Sequence, residues 1–313
     1  MIRIHLFLSF IVSTVSFSQK AETMKNITSD YKFATHYTTI DNLEIAYVKE
    51  GKGKQTIVFI HGLSSNADAW SRNIESLKEK YTCVALDLPG FGKSSKVAPA
   101  YTPTYYAEIV AKLIEKLKLK KVVVAGHSMG GQTAIKLALN HPKKVKKLIL
   151  IAPAGIEEFN SQQALLMKTA VTADVIAKTT DEQIDRNYQL NFFKLPEEAQ
   201  TMISDRKNSK QASDFIEYCN AVSKSIAGML DDPIHKELNL ISIKTLVIFG
   251  ENDNLIPNKY LNPALTTALV GTMAKEKIKK STLHFVFESG HFVQFEKPIE
   301  VNRIITTWLQ EKS

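Results

Sequence analysis

Beyond residue 18 the chain lacks long apolar runs, and it lacks most of the chemistry that cysteine brings. Cys83 and Cys219 are its two cysteines in 313 residues, which excludes a disulfide-stapled scaffold. Cys83 stands in the apolar run Cys83-Val84-Ala85-Leu86, Cys219 in a distant charged stretch of helical character. A bridge needs Cα atoms within about 7 Å; nothing in the pattern brings these two together, and both are expected as buried free thiols. No Cys–His spacing of the zinc type occurs, so no metal is expected. No repeat of about 20–50 residues is visible, which sets aside solenoids and propellers. Hydrophobic residues at 44% and charged residues at 23% are ordinary for a soluble globular protein. At this length the chain buries a large core with room for an insertion.

The net charge is +8, carried by Lys-rich stretches such as 116–121 and 143–147. Their lysines are interleaved with Leu, Ile and Val, the pattern of solvated helix faces and strand starts rather than of a nucleic-acid footprint. No nucleic-acid partner is expected. The first eighteen residues differ from the rest. Arg3 precedes an apolar run over 6–15, and Ser16-Phe17-Ser18 places small residues three and one before a cut ahead of Gln19. This is the order of an export signal, and the run falls short of the roughly 20 residues that span a bilayer. A signal peptide over 1–18, cleaved near Ser18/Gln19 to leave a periplasmic or secreted chain, is the expectation.

Short apolar runs of strand length recur at 43–48, 56–60, 83–86, 122–125, 148–151, 245–249 and 282–287. From 56 onward most are continuous Val/Ile/Leu runs, as in strands buried on both faces of a parallel sheet. Between them, 70–80, 105–117 and 132–140 carry apolar residues three and four apart. The alternation predicts an α/β fold with a mostly parallel central sheet flanked by helices. It breaks over 155–237, which holds no good strand and reads as helices, including 163–178 and 214–230. Loose apolar side chains collect there: Phe159, Leu166, Met167, Phe192, Phe193, Met202, Phe215, Tyr218 and Met229. A helical insertion over the strand C-termini is expected, with 19–154 and 238–313 forming the core. Most of those side chains are expected to pack the insertion itself and a minority to line a pocket.

The strongest local signal is Gly126-His127-Ser128-Met129-Gly130-Gly131, between a strand run and a helical stretch. A serine on a sharp strand-to-helix turn presents its hydroxyl, and the turn requires residues without side chains two before and two after it. G-x-S-x-G alone arises by chance in about one chain in ten of this length at roughly 7% Gly, so its placement carries the weight. A serine hydroxyl needs a base to become a nucleophile. His291 lies just beyond 282–287, and Asp253 just beyond 245–249, so both emerge at the sheet edge that carries Ser128. Asp87 is a rival acid, but it precedes the serine. His284 lies inside a strand run, His141 precedes Pro142, and His36 and His235 have unremarkable contexts. His127 cannot fold back onto its neighbour's hydroxyl and is expected to support the site instead.

Together with His61-Gly62-Leu63 and Asp87-Leu88-Pro89-Gly90-Phe91-Gly92-Lys93-Ser94, these features give a sequence that resembles the α/β-hydrolase family. The branch resembled is the one of esterases and lipases with a helical lid, and the likeness spans about 56–309. It implies a triad of Ser128, Asp253 and His291, an oxyanion hole from the backbone N–H groups of Leu63 and Met129, and a lid over 155–237. It assigns His61 to holding its loop. It implies no cofactor and a small, apolar acyl substrate, best an ester; a lipase acting at a membrane surface stays open as a third reading, without support in the sequence. The same triad in related enzymes cleaves amides, lactones or C–C bonds, or transfers acyl groups. Epoxide hydrolases and dehalogenases of this fold place Asp where Ser128 stands. A binding protein without catalysis is the rival class, and it usually lacks a triad member. Lys244 departs from the pattern, because relatives commonly have Pro there. An amine-binding peptidase needs a free acid, for which Glu157, Glu158 and Asp174 are the candidates.

Overall fold

The computed structural model describes residues 22–311, and the leader expected over 1–18 lies outside the described residues. Eight strands form one sheet: β1 (Thr35–Ile40), β2 (Leu43–Glu50), β3 (Thr56–Ile60), β4 (Thr82–Leu86), β5 (Val122–His127), β6 (Lys147–Ile151), β7 (Lys244–Gly250) and β8 (Ser281–Val286). Their order is β1-β2-β4-β3-β5-β6-β7-β8. Strand β2 runs antiparallel to both its neighbours, and the remaining pairings are parallel. Strand β1 was not expected. Its sequence, Thr35-His36-Tyr37-Thr38-Thr39-Ile40, buries only Ile40, so backbone pairing at the sheet edge holds it and no apolar pattern announces it.

Helices α1 (Met24–Ile27), α2 (Ser71–Leu77), α3 (Pro103–Lys116) and α4 (Met129–Asn140) precede β6. Between β6 and β7 come α5 (Ser161–Ala170), α6 (Ala173–Ala177), α7 (Asp181–Leu190), α8 (Gln200–Asn208) and α9 (Phe215–Asp231). The chain closes with α10 (Thr267–Lys277), α11 (Val293–Glu296) and α12 (Pro298–Gln310). The continuous apolar runs of the sheet divide by the two-residue period of a strand. Val58, Ile60, Val124, Leu148 and Leu150 face one core with α3, α4 and α9. Ile57, Phe59, Val123, Ile149 and Ile151 face the other, with Trp70, Ile74, Ile305 and Trp308 from the segment around α2 and from α12. Trp70 is fully buried, its ring 4.9 Å from that of Phe59. Trp70→Ala should cost about 3–5 kcal/mol, read as a lower urea midpoint with the slope unchanged.

The helix expected over 163–178 is two helices. Met167 O accepts from the Val171 amide at the end of α5, and the Thr172 hydroxyl then caps α6 by accepting from the Val175 N–H. A Thr that caps a new helix looks in sequence like a tolerated interior residue. The strand order reverses around β3, which lies between β4 and β5. That switch point is where such sheets leave a crevice beyond their strand C-termini, and the segments after β3 and β5 border it.

Candidate active site

Strand β5 ends at His127 and α4 starts at Met129, leaving Ser128 alone to make the turn. Its backbone adopts φ 53° and ψ −120°, a conformation costing a non-glycine residue on the order of 1–3 kcal/mol. Its surroundings fix it there. The Ser128 N–H donates to Ile151 O at 3.0 Å, and the Ser128 carbonyl accepts from the N–H groups of Gly131, Gln132 and Ala154 at 2.8, 3.2 and 3.0 Å. The glycines on either side answer to contact. A Cβ on Gly126 would stand 2.1 Å from Gly130 O, and one on Gly130 would stand 2.3 Å from Ile60 O.

Strand β7 delivers Asp253 and β8 delivers His291. The His291 Nδ1–H donates to Asp253 Oδ2 at 2.8 Å, and both side chains are buried. The second carboxylate oxygen, Oδ1, accepts from the N–H groups of Leu255 and Ile256 at 2.8 and 3.0 Å. Ser128 and His291 line one cavity of about 910 Å³ together with Leu63. The N–H groups of Leu63 and Met129 have no acceptor among the described residues, so two donors near Ser128 stay available. The rival acid Asp87 does other work. It accepts from the Tyr31 hydroxyl and the N–H groups of Ala67 and Lys93 at 2.7, 2.7 and 2.6 Å, pinning loops at the sheet edge, and burial raises its pKa.

Two histidines brace the site. His127 Nε2–H donates to the His291 carbonyl at 3.0 Å, tying the chain that carries one ring to the turn that carries Ser128. Burial, and then the neighbouring His291, push the pKa of His127 well below 6.5. His61 donates from Nδ1 to Gly62 O at 2.7 Å and accepts at Nε2 from the Leu88 N–H at 3.0 Å. It therefore clamps the loop after β3 to the one after β4, in the neutral form. Burial lowers its pKa from 6.5 to about 4. The unfolded chain thus takes up this proton first, so the contribution of His61 to stability is full above pH 6.5 and is lost as pH falls toward about 4. The raised carboxyls of Asp87 and Glu157 act in the opposite sense, which makes a difference measurement the right one. The gap in unfolding free energy between wild type and His61→Gln should shrink from pH 7 to pH 4 in urea titrations; a gap independent of pH contradicts it.

Of the nine loose apolar residues, Phe159, Met167, Met202, Tyr218 and Met229 line the cavity, a majority where a minority was expected. Phe192 and Phe215 are buried, while Leu166 and Phe193 are exposed. His235, judged unremarkable, also lines the cavity and pairs with Glu158 at 3.0 Å. Arg206 lines it as well, and no sequence signal separated it from the lysines around it. Glu157 accepts from the N–H of Asn258 and the amide of Asn262, and Asp174 pairs with Lys178 at the surface. Neither these acids nor Glu158 is free to hold a substrate amine.

The family model for the alpha/beta hydrolase fold matches residues 55–298. A 2-hydroxy-6-oxononadienedioate/2-hydroxy-6-oxononatrienedioate hydrolase of Pseudomonas putida is 29% identical, over 86% of this chain and 92% of that protein. A probable hydrolytic enzyme of Pseudomonas aeruginosa superposes with a TM-score of 0.78 at 25% identity, over 93% of this chain and 99% of that one. A bacterial membrane phospholipase A superposes with a TM-score of 0.72 at 28% identity, over 88% and 85%. Strand order, the turn at Ser128 and these matches agree, and the chain belongs to the α/β-hydrolase fold family as one of its hydrolases.

Proposed function

We propose that the protein is a serine hydrolase that cleaves a carboxylic ester through an acyl-enzyme on Ser128. The observation that carries this reading is the 2.8 Å hydrogen bond between Asp253 and His291 on the same cavity as the strained Ser128. Ser128 Oγ attacks the acyl carbonyl, and His291 Nε2 takes its proton. The oxygen that becomes negative meets the N–H groups of Leu63 and Met129, each worth about 10²–10³ in rate. His291 gives the proton to the departing alkoxide, the C–O bond breaks, and the acyl group stays on Ser128. Water, deprotonated by His291, then attacks the acyl-enzyme and releases the acid. Asp253 keeps the imidazole proton on Nδ1 and offsets the imidazolium charge. Helices α5 to α9 serve as the lid whose apolar side chains receive the acyl chain.

A C–C bond next to a ketone is the second substrate class this triad can serve, and the Pseudomonas putida relative, whose name specifies 6-oxo substrates, favours it over amides and lactones. Hydrolysis of p-nitrophenyl esters from acetate to palmitate by the chain beginning at Gln19 decides between the two. The expected result is hydrolysis with an optimum chain length that reports the depth of the cavity. No hydrolysis at any length, with Ser128 still reactive toward a fluorophosphonate, removes the ester and leaves the C–C reading.

A further inference from the structure

The charges lining the cavity are not evenly spent. Each acid among them has a partner within the protein. Glu157 is held by Asn258 and Asn262, Glu158 by His235 at 3.0 Å, Glu237 by Lys136 at 2.9 Å, and Asp205 by the N–H and hydroxyl of Ser29 at 2.9 and 2.8 Å. Two cations are different: Lys236, which is exposed to solvent, and Arg206, on α8, which is half-buried. No carboxylate lies within 4.0 Å of Arg206 among the described residues. Its guanidinium reaches only two neutral oxygens at long range, Ser209 Oγ at 3.4 Å and Ile176 O at 3.5 Å. Its carbon lies 5.4 Å from the ring centres of both Phe215 and Tyr218, within cation–π reach of both, which leaves N–H donors unused.

Two hydroxyls share this part of the cavity. Tyr188 on α7 and Tyr218 on α9 both line it, and neither hydroxyl has a hydrogen-bond partner among the described residues. The same cavity is lined by the apolar side chains of Met167, Val171, Ile226 and Leu230. A half-buried guanidinium with spare donors and no counter-ion is open to an anionic partner. A planar two-oxygen anion satisfies its fork geometry.

We propose that the substrate carries a carboxylate remote from the bond cleaved and that Arg206 binds it, assisted by the hydroxyls of Tyr188 and Tyr218. The proposal rests on the serine-hydrolase reading for the bond cleaved and on the cavity alone for the carboxylate. An apolar chain joins the two ends of such a substrate, and a plain fatty ester leaves Arg206 unused.

Calorimetric titration with octanoate and with octan-1-ol, which share an apolar chain and differ in charge, tests the subsite without turnover. Wild type should bind octanoate about 10- to 100-fold more tightly than octan-1-ol, as a charge-assisted hydrogen bond commonly contributes, and Arg206→Gln should erase that preference. Arg206→Lys, which keeps the charge and loses the fork, should retain part of it. Equal binding of the two by wild type overturns the proposal. So does an equal weakening of both in Arg206→Gln, which marks a packing role against Phe215 and Tyr218.

Turnover then says which end of the substrate bears the charge. The p-nitrophenyl hemi-ester of suberic acid carries it on the acyl side, and the butyrate ester of 6-hydroxyhexanoic acid carries it on the leaving group. One of the two should show a KM raised about 10-fold or more in Arg206→Gln, well beyond any change with p-nitrophenyl octanoate; a change no larger than that with p-nitrophenyl octanoate for both overturns the proposal. Absence of all ester hydrolysis with Arg206-dependent octanoate binding intact sinks the ester reading and leaves the subsite standing.

Discussion

Ser128→Ala should lower ester hydrolysis by up to about 10⁶-fold, the scale on which nucleophile removal acts when the triad works as a unit. Nothing else in the cavity can replace it. The other hydroxyls that line the cavity, such as those of Ser64 and Ser209, do not follow a parallel strand into a helix N-terminus, and His291 has its Nδ1 side committed to Asp253. The fold should survive, because the bonds that hold the turn are made by the Ser128 main chain, to Ile151, Gly131, Gln132 and Ala154. Alanine keeps the Cβ and carries much the same backbone strain. Circular dichroism and the urea midpoint should therefore match wild type while turnover vanishes. A variant that keeps more than about one per cent of wild-type turnover contradicts a mechanism through Ser128.

Asp253→Asn is the second large effect, a loss of about 10⁴-fold in kcat. Its cause can be followed atom by atom. Asp253 Oδ1 accepts from the N–H groups of Leu255 and Ile256, so asparagine must leave its carbonyl oxygen in that position to avoid two orphaned donors. The amide NH2 is then turned toward His291 Nδ1, which has to become an acceptor. That moves the imidazole proton to Nε2, on the side that must receive the proton of Ser128. The variant has the right shape and the wrong tautomer. Steady-state rates on the preferred p-nitrophenyl ester should show the loss in kcat with KM little changed, and a fall of less than about 10-fold would mean that Asp253 is not the acid of the site.

Much of this arrangement can be read in the sequence, for identifiable reasons. Strands β3 to β7 are buried on both faces, so each shows as an unbroken apolar run. The turn at Ser128 shows because close backbone contact leaves room only for Gly126 and Gly130. Asp253 and His291 show because strand ends point where the sheet directs them, and the structure brings them within 2.8 Å. What stayed hidden is held by the backbone or by the tertiary fold. β1 has one buried side chain, the break between α5 and α6 rests on a single threonine cap, and Arg206 is one cation in a Lys-rich chain until α8 and α9 place it on the cavity. The double use of Asp253, one oxygen to His291 and the other to two backbone amides, is equally a matter of loop conformation.

The proposed mechanism stands on Ser128 as a nucleophile activated by His291 and Asp253. Its most direct test is labelling by a fluorophosphonate, followed by intact mass and mapping of the modified peptide, since it requires no knowledge of the natural substrate. One adduct is expected, on Ser128, absent in Ser128→Ala and formed far more slowly in Asp253→Asn. A wild-type chain that stays unmodified, or an adduct on any other residue, would contradict it.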